Sequence, residues 1–298
     1  MSRIHDALRR AEQTQAKDEQ APGRPPHAAP GMAPHAAAAA HLEEPLAVER
    51  SGALLQPQIV REMLEGVLEV PFDPAAESHL IDIEHPHETP GEEFRTLRTR
   101  LNHLQTLQPL HTIVVTSPSP AEGKTFTAVN LALAEAHLKE TKVLLGDFDL
   151  RRPIIHSLFQ TERAPGLSDY LMGEVTFAQA LRKLSGIDLY FLPAGTPVKN
   201  PLELLNLRQA RSLFEQLPGV FDWAVFDSPP LLFSADANLM ATLADGTILV
   251  VKIGTTTFDS VARAMTSLCE NNVLGVVANG ARASELYSKY TYYYSKAE

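Results

Sequence analysis

The spacing of apolar residues divides the chain into stretches of different kinds. Over residues 2–13, Ile4, Ala7, Leu8 and Ala11 share one helical face, with Arg3, Asp6, Arg9, Arg10 and Glu12 elsewhere. That spacing predicts an amphipathic helix over 1–13. A helix this short is marginal alone in water, so it either docks on a partner surface or frays. Residues 14–53 are rich in Ala, Pro, Gln and His. They bury too little apolar surface to offset the entropy of ordering, which predicts a disordered linker. Apolar spacing returns at Ile59, Met63, Leu64 and Val67, and 54–79 is expected to form an arm or helix.

From residue 80 to 282 the pattern is that of one folded domain. Phe94, Leu97, Leu101 and Leu104 predict a helix over 91–107. Continuous apolar runs predict strands at 112–116, 142–147, 188–192, 222–227, 246–252 and 273–279. Helical periodicity falls near 123–138, 175–185, 201–217, 235–243 and 258–271. Short apolar strands alternating with helices imply an α/β fold, with a mostly parallel sheet and helices on both faces. Ligands of such sheets bind at the carboxyl ends of the strands.

Composition narrows the function classes. The net charge is −10, from 26 basic and 36 acidic residues, so nucleic acid is not an expected partner. One cysteine, Cys269, allows no internal disulfide and no cysteine-based zinc pattern. The polar start, Met1 to Asp6, does not read as a signal peptide, and the best candidate for a membrane span, Thr247 to Ile253, is too short to cross a bilayer. A cytoplasmic location is expected.

The chemistry concentrates where three strands end. Thr112 to Thr116 leads into Ser117-Pro118-Ser119-Pro120-Ala121-Glu122-Gly123-Lys124-Thr125, and Phe126 opens a helical pattern. A strand, a loop ending in Gly-Lys-Thr and a helix make a P-loop. The helix N-terminus presents unpaired N–H groups to phosphate. Lys124 reaches the β- and γ-phosphates, Thr125 ligates magnesium, and Gly123 lets the backbone approach the ligand. Ala121, Glu122 and Phe126, on either side of Gly-Lys-Thr, are expected to bind the nucleotide with them. Pro118 stands where the standard pattern has glycine, and Ala121 where one would be unsurprising. Asp147 ends the strand at 142–147 and Asp149 follows it, and Asp227 ends the strand at 222–227 in the position of a magnesium-holding acid. A single aspartate there would read as a helix cap or turn residue; three beside one P-loop read as a catalytic site. His85 and His87 lack a third ligand and read as solvated.

These motifs, with Arg151-Arg152-Pro153 after Asp149 and Ser228-Pro229-Pro230 after Asp227, resemble the bacterial tyrosine autokinases of capsule and exopolysaccharide assembly. The similarity runs from about residue 80 to the C-terminus. It implies the P-loop NTPase fold of the positioning-ATPase superfamily, ATP and Mg2+ as cofactors, and Asp149 and Asp227 at the metal. Asp147 is then the base for the tyrosine proton. Arg151 completes the charge network or forms a structural salt bridge, and Asn279 touches the adenine base of the nucleotide. Glu92, Arg95 and Arg98 match an ExxRxxR element that mediates self-association into a ring. Gly146 departs from the family, which has a large aliphatic residue there, and is expected to loosen the strand end.

Five of the seven tyrosines, Tyr287, Tyr290, Tyr292, Tyr293 and Tyr294, lie in the last stretch, 283–298. A flexible tail of this kind is a phosphoacceptor for a kinase core, or an aromatic packing segment. The resemblance also implies a membrane polysaccharide co-polymerase as activator and recruitment to the inner face of the membrane. A positioning ATPase would carry an extra lysine early in the loop, and Ser117 to Glu122 has none. A nucleotide-binding regulatory subunit without catalysis is the remaining alternative.

Overall fold

The computed structural model describes residues 64–74, 78–81, 91–268 and 273–281. The expected helix over 1–13, the linker, the first part of the 54–79 segment, the His85–His87 pair, Cys269 and the five tail tyrosines lie outside the described residues.

The described elements are β1 (Leu68–Val70), α1 (Gly91–Leu107), β2 (Thr112–Thr116), α2 (Lys124–Ala136), β3 (Val143–Asp147), α3 (Ile155–Leu158), α4 (Leu167–Leu171), α5 (Phe177–Ala180), β4 (Arg182–Leu184), β5 (Leu189–Leu192), α6 (Pro201–Leu205), α7 (Arg208–Gln216), β6 (Trp223–Asp227), α8 (Ala235–Leu243), β7 (Gly246–Lys252), α9 (Phe258–Ser267) and β8 (Val273–Asn279). The strands form one sheet in the order β1-β4-β5-β3-β6-β2-β7-β8. Every neighbouring pair is parallel except β4 and β5.

The central strands are apolar along their whole length because both faces are covered. Ile113 and Val115 of β2, Val143 and Leu145 of β3, and Trp223 and Val225 of β6 pack with α1 and α2. Val114, Leu144, Ala224 and Phe226 project the other way, into a core shared with α4 to α8. Leu249 of β7 packs with α8 and α9 in a third cluster. Helices therefore lie on both faces, as the pattern predicted.

Two helical expectations need correction. In the 175–185 segment, Thr176 and Gln179 form a capping box that starts α5, but Leu181 turns extended and the chain continues as β4. The backbone of β4 is taken by β5 on one side and β1 on the other. That long-range pairing overrides a helix-like apolar spacing. The 201–217 helix is split into α6 and α7, because Leu207 adopts an extended conformation between them. The sheet also begins earlier than the periodicity suggested, with β1 in the segment read as an arm or helix.

Gly146 does not loosen the strand. It stays paired with Leu192 and Phe226, and a Cβ there would come within 2.7 Å of the Phe148 ring and 2.9 Å of Phe226. Phe148 fills the space, with ring centroids 4.7 Å from Phe226 and 5.7 Å from Phe214.

Candidate active site

Alternation along the strands decides where the carboxylates go. Asp147 lies on the same face as Leu145 and Val143, and Asp227 on the same face as Val225 and Trp223. The two aspartates are register partners across β3 and β6. Both point to the face on which α2 lies, and α2 starts with Lys124 and Thr125. Two strand ends and one helix start thus meet at one point.

The geometry there is tight. Lys124 Nζ donates to Asp149 Oδ2 at 2.9 Å and lies 3.5 Å from Asp227 Oδ1. The Thr125 hydroxyl donates to Asp227 Oδ2 at 2.6 Å. Asp147 Oδ2 accepts from the Ile155 N–H at 3.1 Å, while its Oδ1 is buried with no hydrogen-bond partner. Burial would lower the Lys124 pKa, but Asp227 and Asp149 outweigh it and raise it above the ordinary lysine value. Burial, reinforced by Asp227, pushes Asp147 up to about 8. Asp227 is also raised by burial, which wins over the pull of Lys124 and Thr125.

The loop is held from several sides. Gly123 has φ 98°, a left-handed value, and a Cβ there would run into the Asn279 side-chain amide. Ala121 also takes a left-handed φ, of 61°. Asn279 donates to the Glu122 carbonyl at 3.0 Å, which sets it against the loop. The buried Glu122 carboxylate accepts from the Ser119 N–H at 2.8 Å and the Thr256 hydroxyl at 2.6 Å. Its side chain is therefore committed to holding the loop. Phe126 turns away, its ring edge-on to Phe94 at 5.8 Å between centroids. A recess of about 270 Å³ opens beside the loop between Ser119, Glu122, Lys252, Thr255, Thr256 and Ser260.

Other expected site residues lie off this centre. Arg151 pairs with Asp236, at 2.7 Å from Nε and 3.2 Å from the second nitrogen. Arg95 pairs with Glu92 at 2.7 Å along α1. Arg98 donates to the Ala134 carbonyl at 2.7 Å and so caps the end of α2. Sequence reasoning missed Asp236 and Thr256. The Ser234-Ala235-Asp236 stretch before an apolar run is an N-cap signal that would have marked the start of α8. Thr256 carries no such signal.

Magnesium takes oxygen ligands, and Thr125, Asp149 and Asp227 present side-chain oxygens that could hold one. Among the described residues no three carboxylate, histidine or cysteine side chains form a metal cage by themselves.

Fold and site define a P-loop phosphotransferase: a nucleotide-binding loop whose lysine faces carboxylates from two neighbouring strands. No family model matches the chain. It is 34% identical over 220 residues to the tyrosine-protein kinase YwqD of Bacillus subtilis, covering 73% of this chain and 92% of that protein. It is 30% identical to the tyrosine-protein kinase wzc of Salmonella typhimurium, covering 73% of this chain but 30% of that longer protein. The kinase domain of the Escherichia coli tyrosine kinase ETK superposes with a TM-score of 0.64 at 29% identity, covering 68% of this chain and 81% of that one. The chain belongs to the bacterial tyrosine-protein kinases. No helix among the described residues is long and apolar enough to cross a membrane.

Proposed function

We propose that this kinase transfers the γ-phosphoryl group of ATP to its own C-terminal tyrosines, Tyr287, Tyr290, Tyr292, Tyr293 and Tyr294, and thereby regulates exopolysaccharide or capsule polymerisation and export. The observation that carries the reading is the Lys124 ammonium held between Asp149 and Asp227, with Asp147 in register beside them.

The charge arrangement suits a displacement. Lys124 occupies the centre of an acidic cluster in which Asp147 and Asp227 each have a buried oxygen without a hydrogen-bond partner. Thr125, Asp149 and Asp227 would hold Mg2+, which supplies neutralisation of charge on the β- and γ-phosphate oxygens. Lys124 is then free to turn to the phosphates. The N–H groups at the start of α2 cradle them. Asp147 accepts the phenol proton as the tyrosine oxygen attacks phosphorus and ADP leaves. A carboxyl group raised by burial is a stronger base than an ordinary aspartate, once ionised.

The test is incubation of the purified chain with labelled ATP and magnesium. Phosphotyrosine is expected, and is lost both in Lys124→Met and on removal of residues 287–294. Nucleotide turnover without phosphotyrosine, or binding with neither activity, contradicts the proposal.

We further propose self-association through Glu92, Arg95 and Arg98, and recruitment to the inner face of the membrane by a membrane activator, with residues 1–50 as tether. Membrane fractionation of a chain lacking 1–50 is expected to show weaker recruitment, and unchanged recruitment rejects the tether. Sedimentation of Arg95→Ala is expected to show smaller assemblies, and an unaltered profile rejects that contact.

A further inference from the structure

We infer that Asp236 is a positioning residue for the metal site, acting through Arg151 to lock the Asp149 turn to the segment that follows Asp227. The inference rests on the reading of Thr125, Asp149 and Asp227 as the magnesium-holding group.

The side chain of Asp236 is 1% exposed, at the start of α8, while that of Arg151 is 48% exposed. Both Asp236 oxygens are engaged by the guanidinium, at 2.7 and 3.2 Å. The Ser234 hydroxyl caps α8 by accepting from the Asp236 N–H at 3.2 Å, and it accepts from Arg151 Nε at the same distance. A two-pronged guanidinium–carboxylate pair fixes direction as well as distance.

Each end of this pair leads to a site carboxylate. Asp149 begins the turn that carries Arg151: the Arg152 N–H donates both to the Asp149 carbonyl and to its Oδ1, each at 3.1 Å. The other carboxylate oxygen, Oδ2, takes Lys124. Asp227 begins the segment that runs through Ser228 to Ser234 and into α8. That segment is laid along the P-loop by Leu231 N–H to Ser117 carbonyl at 2.8 Å and Leu232 N–H to Pro118 carbonyl at 3.3 Å. The Arg151–Asp236 pair ties the far end of that segment to the Asp149 turn.

The tie matters when Lys124 turns to phosphate. Asp149 and Asp227 share one ammonium, at 2.9 and 3.5 Å, and two like charges push apart once it leaves. Asp147 and Asp227 are fixed by strand pairing. Asp149 lies beyond the end of β3 and depends on its turn. Holding that turn from α8 keeps the Asp149 oxygen where a cation can share it with Asp227. Outer partners of metal ligands commonly act in this way.

The test uses the full chain and a fluorescent ADP analogue titrated with Mg2+. For Asp236→Asn and Arg151→Lys, the half-saturating Mg2+ is expected to rise about tenfold. Affinity for the analogue without Mg2+ is expected to stay within about twofold, and the double variant to be no worse than the worse single one. Thermal unfolding followed by Trp223 fluorescence runs in parallel. Unchanged Mg2+ half-saturation with a lowered midpoint makes the pair merely structural and overturns the inference. If Asp236→Asn fails to fold, Arg151→Lys, altered at the half-exposed end, decides alone. A wild-type chain whose analogue affinity ignores Mg2+ overturns the metal-site reading, and the inference with it. That outcome is distinct from a wild-type Mg2+ response that the two variants leave unaltered.

Discussion

Gly123 and Ala121 both take left-handed backbone angles, φ 98° and 61°, yet the two positions answer differently to substitution. At Gly123 an added methyl meets the Asn279 amide and the backbone angle resists it. Gly123→Ala is expected to abolish binding of an ATP analogue, measured by calorimetry, because the loop must shift away from the phosphates. Ala121 is exposed and already carries the cost of a side chain at positive φ. Ala121→Gly is expected to keep binding and to change stability by no more than about 1 kcal/mol, as relief of the strain offsets the added freedom of the unfolded chain. The reverse ranking in chemical denaturation and binding would contradict this account. The glycine of Gly-Lys-Thr was legible from spacing alone. The left-handed Ala121 was not, because alanine carries no signal for positive φ.

At the scale of elements, the end of β3 shows how packing can replace one residue by another in a neighbouring position. Gly146 leaves room that Phe148 fills, against Phe226 and Phe214. Gly146→Leu alone is expected to overpack this corner and to cost about 1–3 kcal/mol in urea denaturation. Adding Phe148→Ala is expected to recover part of that loss, and a double variant less stable than Gly146→Leu rejects the exchange. The expectation of a loosened strand failed because a sequence pattern shows the missing side chain but not the ring that takes its place. The segments at 175–185 and 201–217 failed for a related reason. Apolar spacing reports that a residue is buried, and pairing with β5 and β1, or a single extended residue such as Leu207, decides the local shape. Apart from β1, the remaining strands were legible because continuous apolar runs bounded by polar turns have few other folded uses.

Across the whole molecule, buried acids make stability depend on pH. Burial raises Glu135 to about 8, against the lowering pull of Asn102 and Arg98, and Asp147 is likewise raised to about 8. In the unfolded chain such groups release their protons near pH 4. Between about pH 4 and 8 the native state holds more protons than the unfolded one, so stability falls as pH rises and levels off above that range. Glu135 joins the α1–α2 packing to the sheet: its Oε2 accepts from Asn102 at 3.1 Å, and Asn102 Oδ1 accepts from Trp223 at 3.0 Å. The melting midpoint, read by Trp223 fluorescence, is expected to fall over this range. Glu135→Gln is expected to flatten the slope without removing the Asp147 share, and an unchanged slope would reject the assignment. The sequence by itself determined the strand–loop–helix of the P-loop, the acidic ends of the two neighbouring strands and the alternation that makes a parallel sheet. These are local, written in residue type and spacing within one element. Only the tertiary structure decided that Asp147 and Asp227 share a register, that Lys124 stands between Asp149 and Asp227, and that Arg151 pairs with Asp236 and Arg98 with the end of α2. Each of those depends on chain segments far apart in sequence, whose meeting is set by sheet order and packing rather than by any local preference.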